Sequence, residues 1–382
     1  MLRKFLALIA VLALLPITFS SAATSIKPLV SVKLFPEDLD IAGISIANNA
    51  IYQFGNTPTG AYISALNKDG SQKWLHQITD QRALMVSAGA SDLAGNFWVA
   101  GVMAPPVAMT APAPSAAGTP AALNPDGVVI GSEGAIRPNL TNITLWKISN
   151  TGEGSGRYEL PLTDPTLPID ISINKSGISL IAWQKAGPIF LNIDLAGNFG
   201  KILKVGKAST SLDKVIRNSD GSSFVTGSST ELFLGTRAIG ARDGLINKID
   251  TTPKITQSVR SGEKGATRNW TSATPSMLLG GYLKSSALSL ATITKFANNL
   301  KPTWSMRAKA TSGAIVVNGS AGGFFAAYEN SGKGTLLNLD KSGKVIATYS
   351  FAGKPISISY QKEFGLILYT GTNLFTLPSA NP

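Results

Sequence analysis

One histidine and no cysteine narrow the chemistry this chain can do before any fold is considered. A single His excludes multi-histidine metal sites, and the absence of Cys excludes disulfides and thiolate metal centres. His76 lies in Lys73-Trp74-Leu75-His76-Gln77-Ile78, where strand alternation places it on one face with Trp74 and Ile78. A Ser-His-Asp triad needs its His in a concave site, so a structural role is expected on an outer strand. Calcium needs several oxygen ligands from one loop. Asn67-Lys68-Asp69-Gly70, Asn124-Pro125-Asp126-Gly127 and Asn218-Ser219-Asp220-Gly221 are too sparse in side-chain oxygens and read as turns. Gly152-Glu153-Gly154-Ser155-Gly156 imitates a phosphate loop but leads into no helix, which phosphate binding requires. What remains is paired-carboxylate chemistry, with Asp38 and Asp40, or Asp164 and Asp170, as the candidate pairs. Sequence alone does not separate these from loop charges, so no catalytic residue, metal ligand or cofactor is assigned.

The elements that would position any site repeat along the chain. Apolar runs begin at Ile51, Phe97, Ser179, Ser223, Met277, Phe324 and Leu366, spaced by 46, 82, 44, 54, 47 and 42 residues. Such continuous runs suit strands buried on both faces. Downstream of them a hairpin signature recurs: an apolar residue, Asn, Ser or Asp, then Gly. Copies are Leu66-Asn67-Lys68-Asp69-Gly70, Ile148-Ser149-Asn150-Thr151-Gly152, Ile193-Asp194-Leu195-Ala196-Gly197 and Leu339-Asp340-Lys341-Ser342-Gly343. Asn and Asp bond their own backbone in such turns, and Gly supplies the positive φ. Weaker copies at 249–253 and 296–300 lack the Gly.

A repeat of roughly 40–50 residues with four short strands is the signature of propeller blades. The expectation is therefore an all-β protein, a β-propeller of seven four-stranded blades, with six and eight as the alternatives. The seventh unit runs out of chain before its outer strand. Leu29-Val30-Ser31-Val32-Lys33-Leu34 is a spare strand near the amino terminus, and adding it to the last blade would close the ring and protect its edges. The stretch Ala65-Leu66-Asn67-Lys68-Asp69-Gly70-Ser71-Gln72-Lys73-Trp74 resembles the quinoprotein-like (PQQ-like) propeller repeat, in which Trp follows Gly by four places. Ala241-Arg242-Asp243-Gly244-Leu245-Ile246-Asn247-Lys248-Ile249-Asp250, with Val225-Thr226-Gly227 before it, resembles the bacterial SBBP-type repeat. Both resemblances imply a propeller. No acidic Ca²⁺ ligands or cofactor-stacking residues of a quinoprotein dehydrogenase have matches here, so no quinone cofactor is implied.

Met1-Leu2-Arg3-Lys4, an apolar core from Phe5 to Phe19 and the small residues Ser20-Ser21-Ala22-Ala23 read as a signal peptide, residues 1–23, cleaved after Ala23 or Ala22. The core is short for a membrane span, which needs roughly 20 apolar residues; a retained anchor is the alternative. Residues 24–382 would be the propeller, monomeric and extracytoplasmic. Its formal charge, +12 for the whole chain, falls to +10 without Arg3 and Lys4. That balance favours anionic surfaces, but no basic run, aromatic RNA-binding signature or DNA-reading helix points to nucleic acid.

The 82-residue gap holds an Ala/Pro-rich insertion at about 104–140, between the second and third strands of the second blade. Long irregular insertions are functional or disordered more often than not, and this connection emerges on the propeller face that commonly carries ligands. The longer loop at about 228–242 in blade four should emerge on the same face. So should Lys264 and Arg268, between blades four and five. Arg137, Arg237, Arg242, Lys264 and Arg268 are the candidate ligand-binding residues, for an anionic glycan, an envelope polymer or an acidic protein. The expected function is non-enzymatic binding or scaffolding at the cell envelope or in the secreted fraction. The alternative is a carbohydrate-active hydrolase or lyase working with carboxylates at the channel mouth.

Overall fold

The structure, a computed structural model, describes residues 26–32, 40–47, 50–106 and 139–378. Residues 1–23, read above as a signal peptide, and Asp38 lie outside these residues, as does the insertion between 107 and 138. Seven antiparallel sheets form the blades: residues 40–79, 84–160, 166–204, 210–261, 267–309, 315–352, and 357–377. The strands of blades one to six run in chain order from an inner strand at the central channel to an outer one, and the three carboxy-terminal strands of blade seven do the same. All seven apolar runs are second strands, and they are buried almost throughout. Phe97–Met103, Gly365–Tyr369 and Ser223–Ser229 have no residue facing water. Outer strands alternate instead, as in Gln72–Thr79, because only one face packs on a neighbour.

Two amino-terminal strands close the ring. β1 (Lys27–Pro28) runs parallel to the outer strand of blade six, and β2 (Val30–Val32) pairs antiparallel with Leu374–Leu377 as the fourth strand of blade seven. Between them Leu29 is buried among Phe351 and Phe375. The spare strand therefore does what its position implied. The extra parallel strand on blade six was not expected.

Seven apolar clusters among the described residues each bridge two neighbouring blades, and the last joins blade seven to blade one through Ile367, Leu374, Ile44 and Ile51. A fully buried aromatic such as Phe97, stacked on Tyr52 at 4.7 Å, contributes roughly 2–3 kcal/mol by burial. Polar side chains also tie neighbouring blades together near the channel. Asn56 accepts from Val86 N at 2.8 Å and donates to its carbonyl at 3.1 Å, while the Ser359 hydroxyl accepts from Ile46 N at 3.0 Å.

The hairpin glycines do two jobs. Gly197, at φ +90°, is a left-handed position, and an added Cβ there would sit 2.0 Å from the Tyr158 ring of the blade before it. Trp74 lies in the same way over Gly152, and Trp304 over Gly343. The Trp of the repeat thus docks on the next blade's glycine, not on its own. His76 sits beside that contact: its Nδ1 is 2.9 Å from Gly152 O, and the Trp74 indole donates to Asn150 O at 3.0 Å. It is an inter-blade fastener on an outer strand.

Candidate functional site

Each blade sends its second-to-third-strand loop, and the connection to the next blade, to one face of the disc. On that face the loop of blade four and the link between blades four and five are stitched together. Ala241 N donates to Ala266 O at 2.9 Å and Arg268 N to Arg242 O at 2.8 Å. The loop itself is pinned from inside. The Asp243 carboxylate accepts from Ile239 N and Gly240 N, both at 2.8 Å, and pairs with Arg260 at 3.4 Å, where both side chains are shut from solvent. Arg260 also donates to Ser229 O and Glu231 O. Phe233 is buried at the base, and a tight turn to Thr236 follows it. Burial alone would raise the Glu231 carboxyl, but donors from Ser209, Thr210 and Lys207 N hold it below the usual range.

Below this loop lies a polar cluster built on a bulge. The inner strands of blades one to five each carry one extra residue, at Ala42, Ser87, Ile169, Asp213 and Thr271. Bulges re-aim side chains, and Ala42, Ser87 and Thr271 line the channel mouth. Asp213 is the acidic member of the set. Burial pushes its carboxyl up to about 6, against hydrogen bonds from Asn269 and Ser211 and the nearby charge of Arg242. One of its oxygens is buried with no partner, as is Asn269 Oδ1. Arg242 completes the cluster, with Nε donating to Ser228 Oγ at 2.6 Å, itself 3.4 Å from Ser211 Oγ.

A carboxyl raised on folding makes the native state the better proton binder, so stability should be highest below pH 4 for this group. It should fall between about pH 4 and pH 6 as the unfolded chain ionises first, and level above that. Asp213→Asn removes this dependence and is expected to stabilise the protein by about 2–3 kcal/mol at pH 7.5. Denaturant unfolding of both proteins from pH 4 to 7.5 checks this, and parallel curves would refute it.

The five sequence-predicted cations fare differently. Arg137 lies outside the described residues. Arg237 and Lys264 are exposed on the two stitched loops. Arg242 is half-buried in the Asp213 cluster. Arg268 belongs to an inner strand, not a loop, and is 8% exposed. Its guanidinium lies 4.5 Å over the Trp270 ring and donates to Ser261. Burial, and then the neighbouring Arg307, push it down to about 10. Asp213 and Asn269 were not anticipated; the only trace in the sequence is a carboxylate directly after Leu212 in an inner strand.

The channel mouth is a cavity of about 930 Å³. Its wall mixes small residues such as Ala42, Ser87, Thr271 and Gly313 with larger apolar and aromatic ones, among them Leu167, Tyr282 and Tyr369. Asp40 is the one carboxylate among the described lining residues, and Lys354 the one amine. Of the other candidate acids, Asp164 is exposed in a loop. Asp170 is buried, pairs with Lys214 at 2.6 Å and accepts from Val215 N at 2.8 Å. Burial raises its carboxyl, and Lys214 and Val215 N oppose that rise. A second network lies beside Ala104 and Asn142: Arg82 grips Glu159 with bonds of 2.7 and 3.0 Å, and Arg157 reaches Asp80 at 2.7 Å.

This architecture has solved counterparts. The fold is a seven-bladed β-propeller. Virginiamycin B lyase from Staphylococcus aureus is 14% identical, covering 91% of this chain and 99% of that one with a TM-score of 0.55. The WD40 domain of coronin from Toxoplasma gondii is 10% identical over 94% and 85% of the two chains, TM-score 0.52. The Dos1 propeller is 12% identical over 94% and 84%, TM-score 0.51. A lyase and a WD40 domain share this frame, so the likeness speaks to fold alone. No protein-family model matches the chain, and no curated protein matches it in sequence.

Proposed function

We propose that the protein is an exported binding module whose ligand docks on the loop face, across the channel mouth and the blade-four cluster. Export rests on the amino-terminal signal, with release after Ala23 or Ala22. The observation that carries the binding reading is the wall of the mouth: largely apolar and aromatic, with Asp40 its one carboxylate among the described residues. A hydrolase or lyase of the two-carboxylate kind needs a pair flanking the scissile bond, and that wall supplies no second member. Exposed Arg237 and Lys264 favour an anionic ligand, such as an acidic glycan or envelope polymer. The quinoprotein-like and SBBP-like resemblance of the repeats belongs to the same proposal, as a lineage of blades without a quinone.

A binding screen of residues 24–382 against glycans and envelope polymers tests this, with and without residues 107–138. Those bounds spare Ala104, whose N–H donates to Ala83 O, and Leu140, which is 1% exposed. Met103 and Asn142 pair directly, so a short Gly-Ser link can join the ends. Loss of one interaction on deletion places the insertion in the site. A screen with no ligand, together with sugar-bond cleavage that Asp40→Asn abolishes, would overturn the binding reading.

A further inference from the structure

We infer that the loop face of blades three to five docks on an anionic lipid bilayer, with the 230–242 loop entering the interface. This rests on the reading of that face as the binding face, and it names the surface bound. Three large aliphatic side chains of one loop stand in water: Leu232 at 60%, Leu234 at 61% and Ile239 at 64% exposed. Leu288, on the corresponding loop of blade five, adds a fourth at 48%. The blade-four loop is held rigidly by Arg260, Asp243, Glu231 and buried Phe233, as described above. Leu234 adopts φ +44°, a left-handed conformation that a leucine rarely takes. The fold tolerates it where it turns Phe233 inward and leaves Leu234 out.

Charge on the same loops is sorted by sign. Lys207, Arg237, Lys264 and Lys284 are exposed. Their acidic neighbours are engaged: Glu231 by Lys207 N and Ser209, Asp243 by Arg260, and Glu263 by Arg307 at 3.1 Å. The outward field is therefore positive around an apolar tip. A soluble polyanion would satisfy the cations but leave four aliphatic side chains in water. A bilayer takes both, with apolar tips among the acyl chains and cations at the headgroups.

The test is co-sedimentation of residues 24–382, which contain every strand and every core cluster described, with vesicles. One set is one part phosphatidylglycerol to two parts phosphatidylcholine; the other is phosphatidylcholine alone. Binding is expected to the anionic set and to weaken with salt. The triple variant L232S/L234S/I239S should lower the partition coefficient about tenfold or more, and R237E/K264E by a similar factor. Unchanged melting curves keep misfolding out of the comparison, since all five side chains are exposed. Binding that neither variant weakens would overturn the inference. So would binding to soluble dextran sulfate, or to an acidic protein, without vesicle binding. If vesicles fail while the polymer screen succeeds, the bilayer inference falls alone; if both fail, the reading of this face falls with it.

Discussion

Arg260→Ala is expected to cost about 3–5 kcal/mol of stability, because it strands a carboxylate in the interior. Asp243 has no side-chain exposure, and Arg260 is the cation that pairs with it. The same substitution removes the donors to Ser229 O and Glu231 O, so the loop that carries Leu232, Leu234 and Arg237 should loosen as well. Urea unfolding measures the first effect, and proteolysis between 230 and 242 the second. The double variant D243N/R260M should recover most of the loss, since a buried pair replaced as a unit is far cheaper than a broken one. A loss under about 1 kcal/mol for Arg260→Ala would show that the pair is not buried as described.

Truncation to residue 33 should be at least as costly, at about 4 kcal/mol or more. Leu29 leaves its cluster with Phe351 and Phe375, and removing a buried leucine alone costs about 2–5 kcal/mol. The outer edge of blade seven also loses its partner, since Val30 and Val32 pair with Thr376 and Leu374. A bare edge strand invites another chain, so the truncated protein should associate with rising concentration. Thermal melts and sedimentation against a control that begins at residue 24 report both effects. Equal melting temperatures would show that the ring does not depend on its closing strand.

The blades were legible because their second strands are buried on both faces, which writes itself as uninterrupted runs such as Phe97-Trp98-Val99-Ala100. The hairpins were legible through Asn, Ser or Asp followed by Gly. The copy at 296–300 looked weaker for want of that Gly, and the reason is packing. Leu300 occupies the position at φ +60°, and Met277 a like one in the same blade at +61°. Both are 2% exposed in the core against blade four. Blade five accepts backbone strain at two turns, and the two side chains gain burial. The site was less legible. A bulge shifts one residue out of alternation without altering composition, so Asp213 gave no periodic signal. Charge counting likewise could not tell Arg237, in water, from Arg268, over Trp270. The parallel β1 on blade six left no pattern either, being two residues long.

The closing strand also sets an order of events. Within a blade every strand pairs with its sequence neighbour, so contacts are local and can form as the chain emerges. Val30 must instead wait for Thr376, more than 300 residues further along the chain. Six blades can assemble while the first strand is still without its partner. The ring therefore latches late, and until it does the chain presents two open edges to whatever holds it.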